Sequence, residues 1–407
     1  MKVIKKDGTL EEYNEQKIIN AIDKSAQREN FTFSQDEYGM ICNRVLNEVD
    51  EEDFENDEVP VGFIHNIVEK TLLDLFPKVG YQYQQYRNYK LDFVHMMDTV
   101  YEESQKIMYI GDKENSNTDS ALVSTKRSLV FNELNKQLYK KFFLTVEERQ
   151  AINDGYIYIH DMSARRDTMN CCLFNVAEVM RGGFEMGNVW YNEPKTLDTA
   201  FDVIGDITLS AASQEYGGFT LPQIDEVLVS YAKKSYEKYK HEFYDIADNL
   251  LDYRHSDFEQ KANDYAMKKV ERDMEQGYQG LEYKFNTVSS SRGDYPFITI
   301  TFGLGTDPFA KMASKTFLRV HREGQGKDGN KKPVLFPKLV FLYTEELHGK
   351  GKVNEDLFEE GIKTSAKTMY PDWLSLDGDT TVSKMYHKYG KVISPMGKCK
   401  SAHVKRY

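Results

Sequence analysis

Residues 297–306 read FITITFGLGT, a short apolar stretch that ends in a glycine-rich turn. A run of β-branched and aromatic residues bounded by glycine is typical of a buried strand. Two further apolar strands are predicted at Tyr156–His160 and Val334–Tyr343. Long stretches with helical periodicity are found at Ala200–Ala212, Gln223–Tyr253 and Phe258–Gly277. This alternation predicts an α/β protein with a large sheet or barrel wrapped by helices.

Composition narrows the class of protein. The chain has 407 residues, 40% of them hydrophobic and 13% aromatic, which is enough for a sizeable core and more than one domain. A formal net charge of -12 argues against a protein that coats nucleic acid, although nucleotides can bind at local basic sites. No apolar run approaches the roughly 20 residues of a membrane span, and Met1–Gly8 lacks the apolar core of a signal peptide. A cytoplasmic protein with no membrane partner is therefore expected.

Cysteine usage excludes two further classes. The four cysteines are Cys42, Cys171, Cys172 and Cys399. They are too few and too scattered for a secreted disulfide scaffold or a four-thiolate zinc site, so no metal site is predicted in this chain. The adjacent pair is the unusual feature, although cysteine is often only a small buried apolar residue.

The first 95 residues predict a small hairpin backed by helices. The elements expected, in chain order, are a strand at Lys2–Lys6, a turn at Asp7-Gly8, a strand to Tyr13, and helices from Asn14, over Asp36–Val49, over Val61–Leu75 and from about Tyr81. Asn14 is a favourable N-cap, and Pro77 is expected to end the third helix. The acid-rich segment Asp50–Glu58 is predicted to be a solvated loop.

The chemistry of this segment points to a polyphosphate. Lys5 and Lys6 beside the glycine turn, with Lys17 on the first helical turn, can converge on phosphate groups, although most lysines at such a turn are simply solvated. The wider pattern is Val3-Ile4-Lys5-Lys6-Asp7-Gly8, Glu11, Tyr13-Asn14, Lys17-Ile18, Ala21-Ile22 and Tyr83-x-x-Tyr86-Arg87-x-Tyr89-Lys90. It resembles an ATP-cone, the module that senses ATP and dATP in ribonucleotide reductases. The resemblance implies nucleotide contacts by Lys5, Lys6, Glu11, Asn14 and Lys17, with the Val3–Ile4 backbone against the base.

A second resemblance begins near Asn115 and covers nearly 300 residues. Its blocks are Tyr158-Ile159-His160-Asp161 through Asn170-Cys171-Cys172, Gly183-Phe184-Glu185-Met186-Gly187-Asn188, Glu193-Pro194-Lys195-Thr196, Ser213-Gln214-Glu215-Tyr216-Gly217-Gly218, Pro296-Phe297 to Gly303-x-Gly305-Thr306, Phe336-Pro337-Lys338-Leu339-Val340-Phe341 and Met369-Tyr370-Pro371-Asp372. In this order they resemble the anaerobic, class III ribonucleoside-triphosphate reductases. The resemblance implies part of a ten-stranded α/β barrel of the glycyl-radical type and the radical-based reduction of ribonucleoside triphosphates to deoxyribonucleotides for DNA replication.

The resemblance also assigns roles in the barrel. Cys171 occupies the position of the cysteine that donates hydrogen to the substrate, and the preceding Asn170 is a further candidate for the catalytic site. Cys172 is a second candidate, with core packing as an equal alternative. His160 is a candidate for the same cavity, although a strand-end histidine is more often structural. Gly303 and Gly305 indicate close backbone approach and do not by themselves define a phosphate site.

The family implies further components. A C-terminal glycyl radical and a zinc site belong to parts of the family protein that this sequence lacks. The resemblance also implies an S-adenosylmethionine iron–sulfur activase that makes the radical, formate as reductant and a homodimeric assembly. The family pattern stops at Gly397, because Lys398 stands where the radical cysteine is expected and Cys399 follows one residue late. We therefore expect an ATP-cone at 1–95, the first part of the barrel at 96–397 and an aberrant tail at 398–407.

Three functional hypotheses follow. The first is a reductase fragment that needs the missing C-terminal half for activity. The second is a non-catalytic protein that binds ATP or dATP. A related glycyl-radical acyltransferase is the third, and the ATP-cone pattern argues against it.

Overall fold

The computed structural model describes residues 1–52, 54–110, 121–165, 169–250, 257–290, 293–390, 392 and 394–395. The chain divides into two compact units, Met1–Glu102 and Glu103–Tyr407. The predicted tail at 398–407, which includes Lys398 and Cys399, lies outside the described residues. Among the described helices, none is both long and apolar enough to cross a membrane.

The first unit is a three-stranded sheet with helices. Its elements are β1 (Lys2–Ile4), β2 (Leu10–Glu12), α1 (Glu15–Ala26), α2 (Gln35–Asp50), β3 (Glu58–Pro60), α3 (Val61–Leu75) and the start of α4 (Pro77–Ile110). The strand order is β2-β1-β3, with β1 antiparallel to β2 and parallel to β3. The predicted hairpin and helices are confirmed.

Local sequence signals explain these elements. Gly8 takes a positive φ of 81° in the turn between β1 and β2, a conformation that glycine adopts without strain. Asn14 caps α1 as predicted, because its side-chain oxygen accepts a hydrogen bond from the amide of Gln16 at 2.9 Å. Two details of the prediction are wrong. Glu58–Pro60 is a strand and not part of a loop, and the fourth helix begins at Pro77, where proline suits a first helical turn.

The second unit alternates helices and strands. Its helices are the end of α4, α5 (Val123–Phe143), α6 (Val146–Asn153), α7 (Val176–Met180), α8 (Leu197–Ala212), α9 (Ile224–Leu250), α10 (Phe258–Thr287), α11 (Pro308–Glu323), α12 (Glu345–His348), α13 (Glu355–Thr368) and α14 (Thr381–Tyr389). Its strands are β4 (Cys172–Leu173), β5 (Phe184–Met186), β6 (Val189–Tyr191), β7 (Gly218–Leu221), β8 (Phe297–Phe302), β9 (Gln325–Lys327), β10 (Asn330–Lys332), β11 (Lys338–Tyr343) and β12 (Asp372–Ser375).

Five of these strands form one parallel sheet in the order β12-β11-β8-β7-β4. Side chains alternate between its two faces. The core face belongs to the main hydrophobic core, to which β7 and β8 contribute Phe219, Leu221, Ile298, Ile300 and Phe302. The opposite face of the same strands carries three fully buried threonines, Thr220, Thr299 and Thr301, and is called the threonine face below. The α/β class is confirmed.

One predicted strand is wrong. Tyr156–His160 lies outside every strand of the described residues, and Tyr156 and Tyr158 are more than 80% exposed. The amides of Tyr156 and Ile157 instead donate to the carbonyl of Ala151 at the end of α6. An alternating sequence forms a strand only where a neighbouring strand completes its hydrogen bonds, and this segment is a turn after a helix. The strand predicted from Val334 begins at Lys338, after Pro337, which has no amide proton to donate.

Candidate functional site

The first unit contains a cavity of about 230 Å³ between the hairpin and helices α1, α3 and α4. Five of the predicted residues line it: Val3, Lys5, Glu11, Asn14 and Lys17. Ile4 and Lys6 are not among its lining residues. Ile4 follows Val3 on β1 and so projects from the other side of the strand. The cavity thus brings together five of the seven predicted residues, and their contact with a nucleotide stays a prediction.

A carboxylate joins two lysines at the cavity. The Lys5 Nζ lies 2.5 Å from Glu11 Oε2, and the Lys17 ammonium contacts the other oxygen of the same carboxylate. Both lysines are about half exposed, whereas Glu11 is more buried. These three groups carry one net positive charge, which the Glu12 carboxylate in the same cavity lining balances.

His65 and Tyr83 also line this cavity. Tyr83 belongs to the pattern that resembles an ATP-cone, where it was given no role, and His65 was not predicted. His65 Nδ1 lies 2.7 Å from the Tyr83 hydroxyl. Burial lowers the pKa of His65, and the neighbouring cations Arg87, Lys6 and Lys90 act in the same direction. Burial also raises the pKa of Tyr83 to about 12. The neutral His65–Tyr83 pair is therefore the polar end of the otherwise apolar side of the cavity that α3 forms.

The signal for His65 was present in the sequence. Val61, Ile64, His65 and Val68 of α3 all line the cavity, and their spacing is that of one helical face. A single polar residue in an apolar stripe marks the place where that face meets a ligand or a buried partner.

In the second unit, the adjacent cysteines point to opposite faces of the sheet. Cys172 pairs in register with Phe219 and packs against the main core. Burial, together with the nearby Glu215 carboxylate that accepts a hydrogen bond from this thiol, raises the pKa of Cys172 to about 11. Because neighbours on a strand alternate, Cys171 points to the threonine face. The Gly218 amide donates to Cys171 Sγ at 3.4 Å.

Asn170 and Gly217 fix the backbone beside Cys171. The Gly217 amide donates to the Asn170 carbonyl at 2.5 Å, and the Tyr216 amide donates to the Met169 carbonyl at 3.0 Å. A Cβ at position 217 would lie only 2.7 Å from Cys171 Sγ and 2.9 Å from Asn170 Oδ1. Glycine at 217 is therefore required by this close approach, and it seats the thiol against the edge of β7.

His160 occupies a different environment. Its ring pairs with the carboxylate of Asp161, with 3.0 Å between Nε2 and Oδ2, and its side chain is 60% exposed. Its carbonyl accepts a hydrogen bond from the Arg165 guanidinium at 3.3 Å. The geometry is that of a surface turn, so His160 is more exposed than the half-buried Cys171.

The glycines after β8 are held by a buried polar cluster. Asp225 Oδ2 accepts from the Gly303 amide and from the Ser314 hydroxyl, each at 3.0 Å. The Gly303 carbonyl accepts from His348 at 2.9 Å and from the Asn354 amide at 3.1 Å. Burial raises the pKa of Asp225 to about 6. As predicted, the backbone approaches closely here, since a Cβ on Gly303 would lie 2.9 Å from the Leu342 carbonyl.

Each of the two units matches the model of a known protein family. A family model described as ATP cone domain matches residues 1–91, and one described as anaerobic ribonucleoside-triphosphate reductase matches residues 114–403. The chain belongs to the anaerobic ribonucleoside-triphosphate reductase family. Both predicted resemblances are confirmed. The second match extends past Gly397, at which the sequence motifs end.

Several reductases of this family are similar in sequence to most of this chain. The anaerobic ribonucleoside-triphosphate reductase of Haemophilus influenzae is 32% identical over 98% of this chain and 54% of its own length. That of phage T4 is 33% identical over 71% of this chain and 45% of its own length. The Escherichia coli reductase is 30% identical over 98% of this chain and 54% of its own length. The chain thus spans about half the length of the relatives it matches.

The solved structures that the chain matches include the anaerobic ribonucleotide reductase of Thermotoga maritima. Its complex with dATP and CTP matches with a TM-score of 0.43 and 16% identity, over 72% of this chain and 50% of that one. The same enzyme with glycerol in the active site matches with a TM-score of 0.46 and 15% identity, over 71% of this chain and 50% of that one.

Proposed function

We propose that this chain carries the ATP-sensing module and the first part of the catalytic domain of an anaerobic ribonucleoside-triphosphate reductase. In this proposal the first unit binds ATP or dATP as an allosteric effector, and Cys171 donates hydrogen to the ribose during reduction. The observation that carries it is the position of Cys171 on the threonine face, beside Gly217 and Gly218, while Cys172 packs into the core.

The cavity of the first unit supports effector binding. Its volume of about 230 Å³ lies slightly below the roughly 300–1,000 Å³ of pockets for drug-sized ligands. It suits the base and sugar, with Lys5 and Lys17 at its rim for the phosphates. Phosphate oxygens would replace Glu11 as the partners of these lysines.

Other components of the reaction belong to the same proposal. A glycyl radical, generated by an activase that uses S-adenosylmethionine and an iron–sulfur cluster, would initiate the chemistry, and formate would supply the electrons. The remaining length of the family protein would provide that glycine, a zinc site and the other barrel strands, and two copies would assemble. Within this chain, Asn170 and Gly217 hold Cys171, and the packing of the partly buried Cys172 against the main core keeps the second thiol out of the reaction.

Effector binding is tested by isothermal titration of the chain with ATP and with dATP. We expect K5A and K17A each to weaken binding by about 10- to 100-fold, since each loses a charge-assisted hydrogen bond. K24A is the matched control, because Lys24 lies in the last turn of α1 and does not line the cavity. Unchanged affinity in both cavity variants would contradict the proposed effector site.

Catalysis is tested separately under anoxia. The chain is combined with a C-terminal half from a family member, the activase, formate and a ribonucleoside triphosphate, and deoxyribonucleotide is measured. We expect C171S to abolish product and C172S to retain it. Nucleotide binding without any product from the unmodified chain would favour the alternative of a non-catalytic ATP or dATP sensor.

A further inference from the structure

Four helices converge on the turn that follows β8, residues 303–305, called the β8 turn below. Their side chains are Asp225 of α9, Ser314 of α11, His348 of α12 and Asn354 of α13. β8 is the middle strand of the parallel sheet, and such sheets bind ligands at the carboxyl ends of their strands. A movement of the β8 turn would therefore change the edge of the sheet at which ligands are expected.

Asn354 gives its side-chain amide to this turn instead of to its own helix. It is the N-cap residue of α13, yet its side chain makes no capping hydrogen bond. Its Nδ2 donates to the carbonyls of Gly303 and Gly305, at 3.1 and 3.2 Å. These two bonds fix the orientation of the amide, so Oδ1 remains an acceptor. This buried oxygen has no hydrogen-bond partner among the described residues.

Asp225 has a similar deficit on the other side of Gly303. Its Oδ2 accepts from the Gly303 amide and from the Ser314 hydroxyl. Its buried Oδ1 has no partner in the part of the chain that the structure describes. None of the ion pairs of the described residues includes Asp225, and the nearby Glu226 carries a charge of the same sign. A buried carboxylate with neither a cation nor a donor for each oxygen is strongly disfavoured.

A proton on Asp225 Oδ1 removes this deficit. The unpartnered oxygen becomes a hydroxyl donor, while Oδ2 continues to accept from Gly303 and Ser314. Burial raises the pKa of Asp225 from 3.8 to about 6, in the direction that this geometry requires. The charge of Asp225 therefore changes near pH 6, close to the physiological range.

His348 is the other titratable group that contacts the β8 turn, and its effect has the opposite sign. Its Nδ1 accepts from the Thr344 amide at 3.2 Å, so Nε2 carries the hydrogen donated to the Gly303 carbonyl. Burial lowers the pKa of His348. Its protonation would loosen the turn as the pH falls, whereas ionisation of Asp225 loosens the turn as the pH rises. The contacts from α11 and α13 are uncharged.

We propose that Asp225 is a proton-dependent latch for the β8 turn. With the proton in place, α9 and α13 hold Gly303 by its amide and its carbonyl. Without the proton, a buried charge with one unpartnered oxygen draws water in beside Gly303, and the turn opens more often. This inference goes beyond the proposed function and does not depend on it, because it concerns neither effector binding nor hydrogen donation.

Hydrogen–deuterium exchange of the full chain measures this opening in a peptide covering 300–308, with rates corrected for the intrinsic effect of pH. Opening exposes Asp225 to water, where its pKa is 3.8, so the opening constant should rise roughly tenfold between pH 5 and pH 8. Most of the rise should occur below about pH 6.5. In D225N the amide permanently supplies the donor and acceptor of the neutral acid, so exchange should be slow and equal at both pH values.

E282Q is the matched control. Glu282 is another fully buried carboxyl group, and its contacts are with His321 and Gln325. It should leave the pH dependence of the turn peptide unchanged. S314A is a second variant, which keeps Asp225 in place. It removes a hydrogen bond that lowers the pKa of Asp225, so the rise should extend to higher pH and exceed tenfold.

Four results would overturn the latch. They are exchange of the turn peptide that does not depend on pH in the unmodified chain, exchange that accelerates as the pH falls, an undiminished rise in D225N, or an equal loss of the rise in E282Q. If D225N does not fold, S314A decides, because an unchanged pH dependence in that variant also overturns the latch. Failure of the proposed function is measured separately, by ATP titration and by product formation.

Discussion

Replacing Gly217 with alanine tests how tightly the backbone encloses Cys171. The new Cβ would lie 2.7 Å from Cys171 Sγ and 2.9 Å from Asn170 Oδ1, and closer still to the Asn170 carbonyl oxygen. Ordinary contacts are about 3.5–4.0 Å, so these groups must move by roughly 1 Å. Two hydrogen bonds are then strained, and each contributes about 1 kcal/mol. Overpacking adds about 1–3 kcal/mol, so we expect a total loss of about 3–5 kcal/mol.

Urea unfolding measures this loss, and alkylation of Cys171 by iodoacetamide, followed by mass spectrometry, measures the displacement of the thiol. Gly280 of α10 is the control, because a Cβ there meets no atom within 4 Å. Gly280→Ala should be neutral or stabilise by about 0.5–1 kcal/mol. A free energy of unfolding for Gly217→Ala within about 0.5 kcal/mol of the unmodified chain, the usual scatter of a surface substitution, together with unchanged alkylation of Cys171, would contradict the close approach of Gly217 to the thiol.

Three further predictions concern titratable groups. The pKa of His65 is lowered in the folded protein, so the neutral form favours folding. The free energy of unfolding of the first unit should therefore fall as the pH drops below about 6.5. Urea unfolding of H65F should lack this dependence of stability on pH. The pKa of Asp225 is raised in the folded protein from 3.8 to about 6. Above pH 6 the ionised carboxylate therefore destabilises the fold by about 3 kcal/mol, and this destabilisation disappears as the pH falls toward 3.8. D225N should therefore gain stability relative to the unmodified chain at pH 8 and lose that advantage near pH 4, and an equal effect at both pH values would contradict the assignment. The pKa values of Cys42 and Cys172 are raised to about 12 and about 11. At pH 8 both thiols should therefore react with iodoacetamide at least about 100-fold more slowly than an ordinary thiol. Rapid labelling of either cysteine would contradict the packing described for it.

Elements with strong local signals were predicted well from the sequence. The helix Val61–Leu75 has the predicted bounds, and the N-cap at Asn14 is present. Both depend on interactions within a few residues, which the sequence displays directly. The strand Phe297–Phe302 was also predicted with its full length, because its apolar run ends at a glycine.

Elements that depend on distant partners were not predicted. Glu58–Pro60 forms a strand only because β1 lies beside it, and the alternating Tyr156–His160 fails to form one because no strand does so. The same limitation applies to the candidate site. The opposite orientations of Cys171 and Cys172 follow from the register of β4 with β7, a pairing between segments about 50 residues apart that periodicity does not reveal. His65 stands in a helical stripe that the sequence displays, but only the packing of α3 against the hairpin shows that this stripe lines a cavity.

The opposite orientations of the two neighbouring thiols have a consequence for reagents that need both. Trivalent arsenicals and other soft-metal chelators bind two sulfur atoms at once, and here one sulfur lies on the core face and the other on the threonine face. Bridging them would require the end of β4 to unpair from β7. A dithiol-directed inhibitor should therefore spare this Cys-Cys sequence while the sheet is intact. The two adjacent cysteines therefore do not form a dithiol site while β4 is paired with β7.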